Sequence, residues 1–176
     1  MKLAFLFSLS FFSFFQNTKY DRMIESITEI TVHNKSPKEI YDFMFTLTQE
    51  KYELWHPEHK EFKVIKSTTD TIGSVFYFNE IINGYKIDFK WEVIEIEKDK
   101  RILMKAKYFI PITLELTLKE ENKNTVVKHH LKIGYNGKRA GISERIIRKY
   151  YFTDKVIKDL DRHAKEEFSN LEWLIK

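Results

Sequence analysis

The 176-residue sequence predicts an α+β fold, a curved antiparallel sheet wrapped around a long C-terminal helix that encloses a small-molecule cavity. Three observations predict it. Residues 62–135 form successive apolar or alternating segments joined by short turns, and such connections force neighbouring strands to run antiparallel. Near the C-terminus, Val156, Ile157, Leu160, Ala164, Phe168, Leu171 and Leu174 fall at helical spacing on one stripe. A stripe that long must pack on something, and the concave face of the sheet is the available partner.

Ser26 to His33 alternates through Ile27, Ile30 and Val32 and reads as the first strand. Ser36-Pro37-Lys38-Glu39 starts a helix, with Ser as N-cap, Pro in the first turn and Glu closing a capping box. Ile40, Phe43, Met44 and Leu47 form its apolar face, and a short second helix spans Glu50 to Leu54 before Pro57. Strands are expected at Phe62 to Lys66, Ser74 to Ile82 and Tyr85 to Glu97. The last two are joined by Asn83-Gly84, a strong hairpin signal. Ile102 to Ile110, Ile112 to Lys119 and Thr125 to Tyr135 complete the sheet. Ile142 to Tyr150 reads as helix, and Thr153 or Asp154 caps the final helix to about Leu174.

The chain divides into residues 1–22 and a single domain over 23–176. Leu3 to Phe15 is apolar apart from three Ser, which resembles a secretory signal and is short for a transmembrane helix. No small-x-small cleavage site follows, since Gln16, Asn17 and Thr18 come next. The other reading is a start at Met23. The first reading implies a secreted or membrane-associated protein and the second a cytoplasmic one. In neither case is a stable membrane span expected in the domain.

Fifteen Phe, nine Tyr and three Trp make the chain rich in aromatic residues, and the absence of Cys excludes disulfides, thiolate metal sites and a cysteine nucleophile. The net charge of +4 is spread along the chain. Its densest basic stretch, Lys138, Arg139, Arg145, Arg148 and Lys149, reads as a solvated helix face, with contact to an anionic surface as the lesser alternative. No nucleic-acid reading element accompanies it, so a nucleic-acid partner is not expected. The expected partner is a small hydrophobic or aromatic ligand, and the protein is expected to be a monomer or homodimer.

The chemistry concentrates in the histidines. Two, His56 and His59, flank Pro57 ahead of the sheet. Phe76, Phe78 and Glu80 share one strand face, and a carboxylate facing an apolar cavity needs a partner or a metal. In the last strand Val127, His129, Leu131 and Ile133 face inward, while Lys128, His130 and Lys132 face solvent. His163 lies within the stripe of the last helix. His59, Glu80, His129 and His163 therefore converge as candidate ligands for zinc or another divalent metal. The alternative is a set of ordinary hydrogen-bonded histidines.

The outline resembles the START-like (SRPBCC, helix-grip, START/Bet v 1-like) superfamily of polyketide cyclases, plant pathogenesis-related proteins and lipid-transfer domains. Trp55-His56-Pro57-Glu58-His59, Gly73 through Glu80 to Gly84, Val127-Lys128-His129-His130 and the run from His163 to Leu171 resemble the diacetylphloroglucinol and phloretin hydrolases. That resemblance, from about Ile24 onward, implies zinc held by three His and one Glu, here His59, Glu80, His129 and His163. His56 can replace His59, and His130 can replace His129 if the strand register slips. It also implies hydrolysis of a carbon–carbon bond in an acylated aromatic compound. If a metal binds, His56 or a nearby Tyr, Tyr108, is the candidate proton donor. The chain is shorter than those enzymes, and the resemblance assigns no residues here to their ring-binding positions. Two other readings stand beside it: a non-catalytic carrier of hydrophobic ligands and a metal-free cyclase or aldolase-like enzyme.

Overall fold

A computed structural model describes residues 23–106, 108, 110–135 and 141–176; the apolar segment 1–22 and the basic residues Lys138 and Arg139 lie outside them. The order is β1 (Ile24–Val32), α1 (Pro37–Phe45), α2 (Gln49–Trp55), β2 (His59–Lys66), β3 (Val75–Ile82), β4 (Tyr85–Glu97), β5 (Arg101–Ala106), β6 (Ile112–Glu121), β7 (Asn124–Ile133), α3 (Ile142–Tyr151) and α4 (Asp154–Leu174). The strands form one antiparallel sheet in the order β1-β7-β6-β5-β4-β3-β2. Consecutive strands β2 to β7 are neighbours, and α1 and α2 carry the chain from β1 at one edge to β2 at the other. No helix among the described residues is long and apolar enough to cross a membrane.

Local chemistry accounts for most boundaries. Ser36 caps α1, with the Glu39 carboxylate reaching back to the Ser36 backbone N–H at 2.8 Å. Asn83 and Gly84, at φ of 48° and 83°, make the tight β3–β4 turn. Thr153 caps α4 through the Val156 N–H. The stripe of α4 packs into the sheet as its spacing predicts, with Val156, Ala164, Phe168 and Leu171 all buried.

Two strands differ from the sequence reading by three residues or more at one end. β2 begins at His59, three residues earlier, because His59 pairs with Glu80 before a register shift ahead of Glu61. That irregularity places His59 and Phe62 on the buried side three residues apart, a spacing that strand periodicity does not reveal. β5 stops at Ala106 rather than Ile110, where the Tyr108 N–H turns back to the Ala106 carbonyl at 3.1 Å and leaves the ladder.

One glycine has a required place. Gly134 sits at φ +106° after β7, and a Cβ there would lie 2.6 Å from Glu144 Oε1 and 3.2 Å from an Arg148 guanidinium nitrogen. This close approach seats α3 on the sheet end. Gly134→Ala is expected to lower stability by about 1–3 kcal/mol, from positive φ and the clash together. The urea midpoint measures it, and an unchanged midpoint would refute the assigned contact.

Candidate metal centre and cavity

Four elements deliver the site: the α2–β2 turn, β2, β3 and α4. Trp55 closes α2, where its indole N–H donates to the Glu167 carbonyl at 2.6 Å and its own carbonyl accepts from Asn170 Nδ2 at 2.8 Å. These bonds clamp the turn to α4. Beyond it, His59 and Glu80 face each other across the β2–β3 pair, and α4 presents His163 and Glu167 one turn apart, hence on one face.

Hydrogen-bond partners assign the tautomers. His59 Nδ1 lies 2.9 Å from the Tyr52 carbonyl, which can only accept, so Nδ1 carries the proton and Nε2 presents a lone pair. The His163 Nδ1 is 2.9 Å from Glu58 Oε2. Glu58 is also held by Arg162 at 3.1 Å through both oxygens, and by the Asn83 N–H at 2.9 Å. Burial opposes ionisation of Glu58, but these donors draw its carboxyl well below the usual range. An ionised Glu58 accepts a hydrogen bond from His163 Nδ1–H, so His163 Nε2 also presents a lone pair. The two Nε2 atoms face each other at 3.3 Å.

Two carboxylates converge on the same point. Glu167 Oε2 is 3.2 Å from His59 Nε2 and 3.6 Å from His163 Nε2. Glu80 places its oxygens 3.9 Å from His59 Nε2 and 3.7 Å from His163 Nε2, while accepting the Tyr52 hydroxyl at 2.8 Å. Burial pushes Glu80 up to about 7 and Glu167 up to about 8. It lowers both His59 and His163, keeping the imidazoles neutral. Two facing lone pairs repel, and so do the two buried carboxyl groups when ionised, unless a proton or a cation lies among them. A proton on Glu167 satisfies one lone pair; a divalent cation satisfies all four donors. Imidazole nitrogen with carboxylate oxygen suits zinc, and each imidazole is oriented from behind by an acceptor, as metal-ligating histidines almost always are. The donor set fits the metal that the sequence suggests.

His59, Glu80 and His163 are thus brought together. His129 stands apart from their hydrogen bonds and ion pairs among the described residues. It lines the same cavity from β7, its ring centroid 6.2 Å from that of Phe168, and burial lowers it to about 4. Its neighbour His130 faces the other way and pairs with Glu25 at 2.9 Å. His56 lies beside the cluster, a ring nitrogen of each of His56, His59 and His163 falling within 4.8 Å of the others. Both its nitrogens are engaged, Nδ1 by the Glu58 N–H and Nε2 by Glu166, each at 3.2 Å. Tyr108 packs edge-on against Phe89 at 5.3 Å on the cavity wall. Sequence reasoning passed over Tyr52, Glu58 and Glu167. Only Glu167 had a signal, four residues after His163 on the same helical face.

The cavity beyond the cluster measures about 450 Å3 and is walled by Phe62, Phe76, Phe78, Phe89, Trp91 and Leu114 among others. Its volume lies in the range of small-molecule sites, and Glu80, His129, His163 and Glu167 are among the residues that line it. Residues 35–149, more than half of the chain, match the family described as Activator of Hsp90 ATPase homolog 1-like protein. The chain belongs to this family. The matched segment contains His56, His59, Glu80 and His129 and ends before α4, so His163 and Glu167 lie beyond it.

Solved structures share the fold. The protein TTHA0849 from Thermus thermophilus is 16% identical with a TM-score of 0.64, covering 86% of this chain and 97% of its own. A START superfamily protein from Mycobacterium smegmatis is 15% identical with a TM-score of 0.59, covering 87% and 96%. The di-domain ARO/CYC BexL from the BE-7585A biosynthetic pathway is 13% identical with a TM-score of 0.63, covering 89% of this chain and 51% of BexL. At these identities the likeness establishes the START/Bet v 1-like fold. No curated protein sequence matches the chain.

Proposed function

We propose that this family member is a zinc-dependent hydrolase that cleaves a carbon–carbon bond in a small acylated aromatic compound. The observation that carries the reading is the pair of imidazole Nε2 lone pairs 3.3 Å apart with two buried carboxyl groups around them. His59, Glu80, His163 and Glu167 are the proposed ligands, with His129 left to face the substrate. Bound there, a divalent ion would supply Lewis-acid polarisation of a carbonyl. The chain does the rest. Tyr52 holds Glu80 through its hydroxyl and His59 through its carbonyl, so one residue sets the position of two donors. Glu58, itself fixed by Arg162, orients His163. The Phe and Trp walls exclude water and stack a flat ring with its polar end toward the cluster. His56 links the cluster to the exposed Glu166 and is placed to pass a proton outward from Nε2. Tyr108 is the alternative proton donor, on the cavity wall.

The experiment is elemental analysis of untagged wild type beside Glu167→Gln and His129→Ala. About one zinc per chain is expected in wild type and His129→Ala, with at least ~10-fold weaker binding in Glu167→Gln. The reverse pattern would restore His129 to the ligand set. Metal absent from all three would turn the reading to a carrier, which the largely apolar 450 Å3 cavity favours.

A further inference from the structure

We infer that the ligand is an aryl ketone whose acyl group is an extended alkyl chain rather than acetyl, seated in an inner apolar compartment that runs past the metal end toward α1. The inference names the substrate class of the proposed hydrolysis and rests on that reading for the bond that breaks. The compartment itself needs no metal.

The cavity joins two apolar clusters. Trp91, Ala106, Ile112 and Phe152 belong to one and Val93, Ile102, Leu116 and Phe168 to the other, while Phe78, Met104 and Leu114 pack against both. The change from one cluster to the other runs along the strands, from Trp91 to Val93 on β4, Ala106 to Ile102 on β5 and Ile112 to Leu116 on β6. The first cluster is the outer one. Phe89 of β4 and Ile147 of α3 pack on it, and the exposed residues that line the cavity, Tyr85, Lys86, Asp88, Tyr150 and Tyr151, all stand near the β3–β4 turn or at the end of α3. The second cluster is the inner one, closed by Met44 and Phe45 of α1 and by Leu47 just after it.

The last helix puts the metal end between the two. Ile157 and Leu160 pack on the outer cluster, and Phe168 and Leu171 belong to the inner one. Along α4, Leu160 and Phe168 are roughly 12 Å apart, and His163 and Glu167 fall between them while lining the cavity. A carbonyl held at that level has an apolar compartment on either side. The two compartments are unlike. On the outer side Phe89 meets Trp91 and Tyr108 edge-on at 5.9 and 5.3 Å, flat surfaces that suit an aromatic ring. On the inner side Met44, Leu47, Val93, Ile102 and Leu116 supply aliphatic walls, and an unbranched Met adapts its shape to a flexible chain. An acetyl group ends before this compartment, whereas a longer chain buries each further methylene in it. The total volume of about 450 Å3 suits a ring and a chain together.

The test is calorimetric titration of the chelator-treated full chain with acetophenone, butyrophenone and hexanophenone. Wild-type affinity is expected to rise about 3–4-fold for each added methylene. Leu47→Trp and Met44→Trp, each checked for an unchanged urea midpoint, fill the inner compartment from two positions. Both should bind hexanophenone at least ~10-fold more weakly than wild type while binding acetophenone equally well. A flat series in wild type, or the same rise in both variants as in wild type, would overturn the inference, as would binding of none of the three ketones. Failure of the hydrolase reading looks different: no zinc is retained and no ketone is cleaved, yet the chain-length series and its loss in the variants persist, which leaves a carrier of alkyl aryl ketones.

Discussion

Chelator-treated His163→Ala is expected to show no thermal shift when zinc is restored, whereas wild type gains several degrees. A ligand that binds only the folded state at about 100 times its dissociation constant adds ~2.7 kcal/mol, which for a chain of this size is roughly 5–10 °C. His163 is the most exposed test of the centre because its two nitrogens serve two partners. Removing the ring deletes one donor at Nε2 and leaves Glu58 bonded to Arg162 and the Asn83 N–H, so Glu58 keeps its charge compensation. It also removes the Nε2 pair that faces His59 at 3.3 Å. Metal-free stability should therefore change little while the zinc-dependent gain disappears. A zinc shift retained in His163→Ala would sink the proposed ligand set.

Phe168→Ala is expected to cost more than any single change at the centre. Phe168 is 1% exposed and meets Trp55 edge-on at 5.7 Å, in the cluster that joins α4 to α2 and the sheet. Truncating a buried Phe loses its transfer free energy and leaves a cavity, about 3–5 kcal/mol together. For a domain of this size that is a fall of roughly 10 °C in Tm, measured by calorimetry without added metal. The loss reaches the site as well. Trp55 holds the Glu167 backbone through its indole N–H, so a Trp55 freed to tilt loosens the residue next to Phe168. Zinc affinity should fall in parallel, by less than in His163→Ala. A Tm loss of only a degree or two would mean that the grip of α4 lies elsewhere.

The two variants separate the fold from the site, and the same division runs through the sequence. Turn chemistry, capping and periodicity are properties of a few adjacent residues. Asn83-Gly84, Ser36-Pro37 and the stripe from Val156 to Leu174 therefore announced their elements before any tertiary contact was known. The alternation of Lys128, His130 and Lys132 likewise put His129 on the inner face, and His129 does line the cavity. The start of β2 was hidden, because the register shift after His59 breaks the period on which a strand is read.

The proposed ligand set was partly legible for a related reason. His59, Glu80 and His163 stood out as polar groups on apolar faces. Glu167 looked like one more acid on a charged helix, and only the seating of α4 against β2 and β3 turns it inward, 3.2 Å from His59. Sequence alone determined which elements form, their order and most of their inward faces, since these follow from local periodicity and turn geometry. Tertiary structure alone decided which inward groups meet. Distances between side chains 20 to 110 residues apart depend on a bulge and on the rotation of one helix, and no local pattern encodes either.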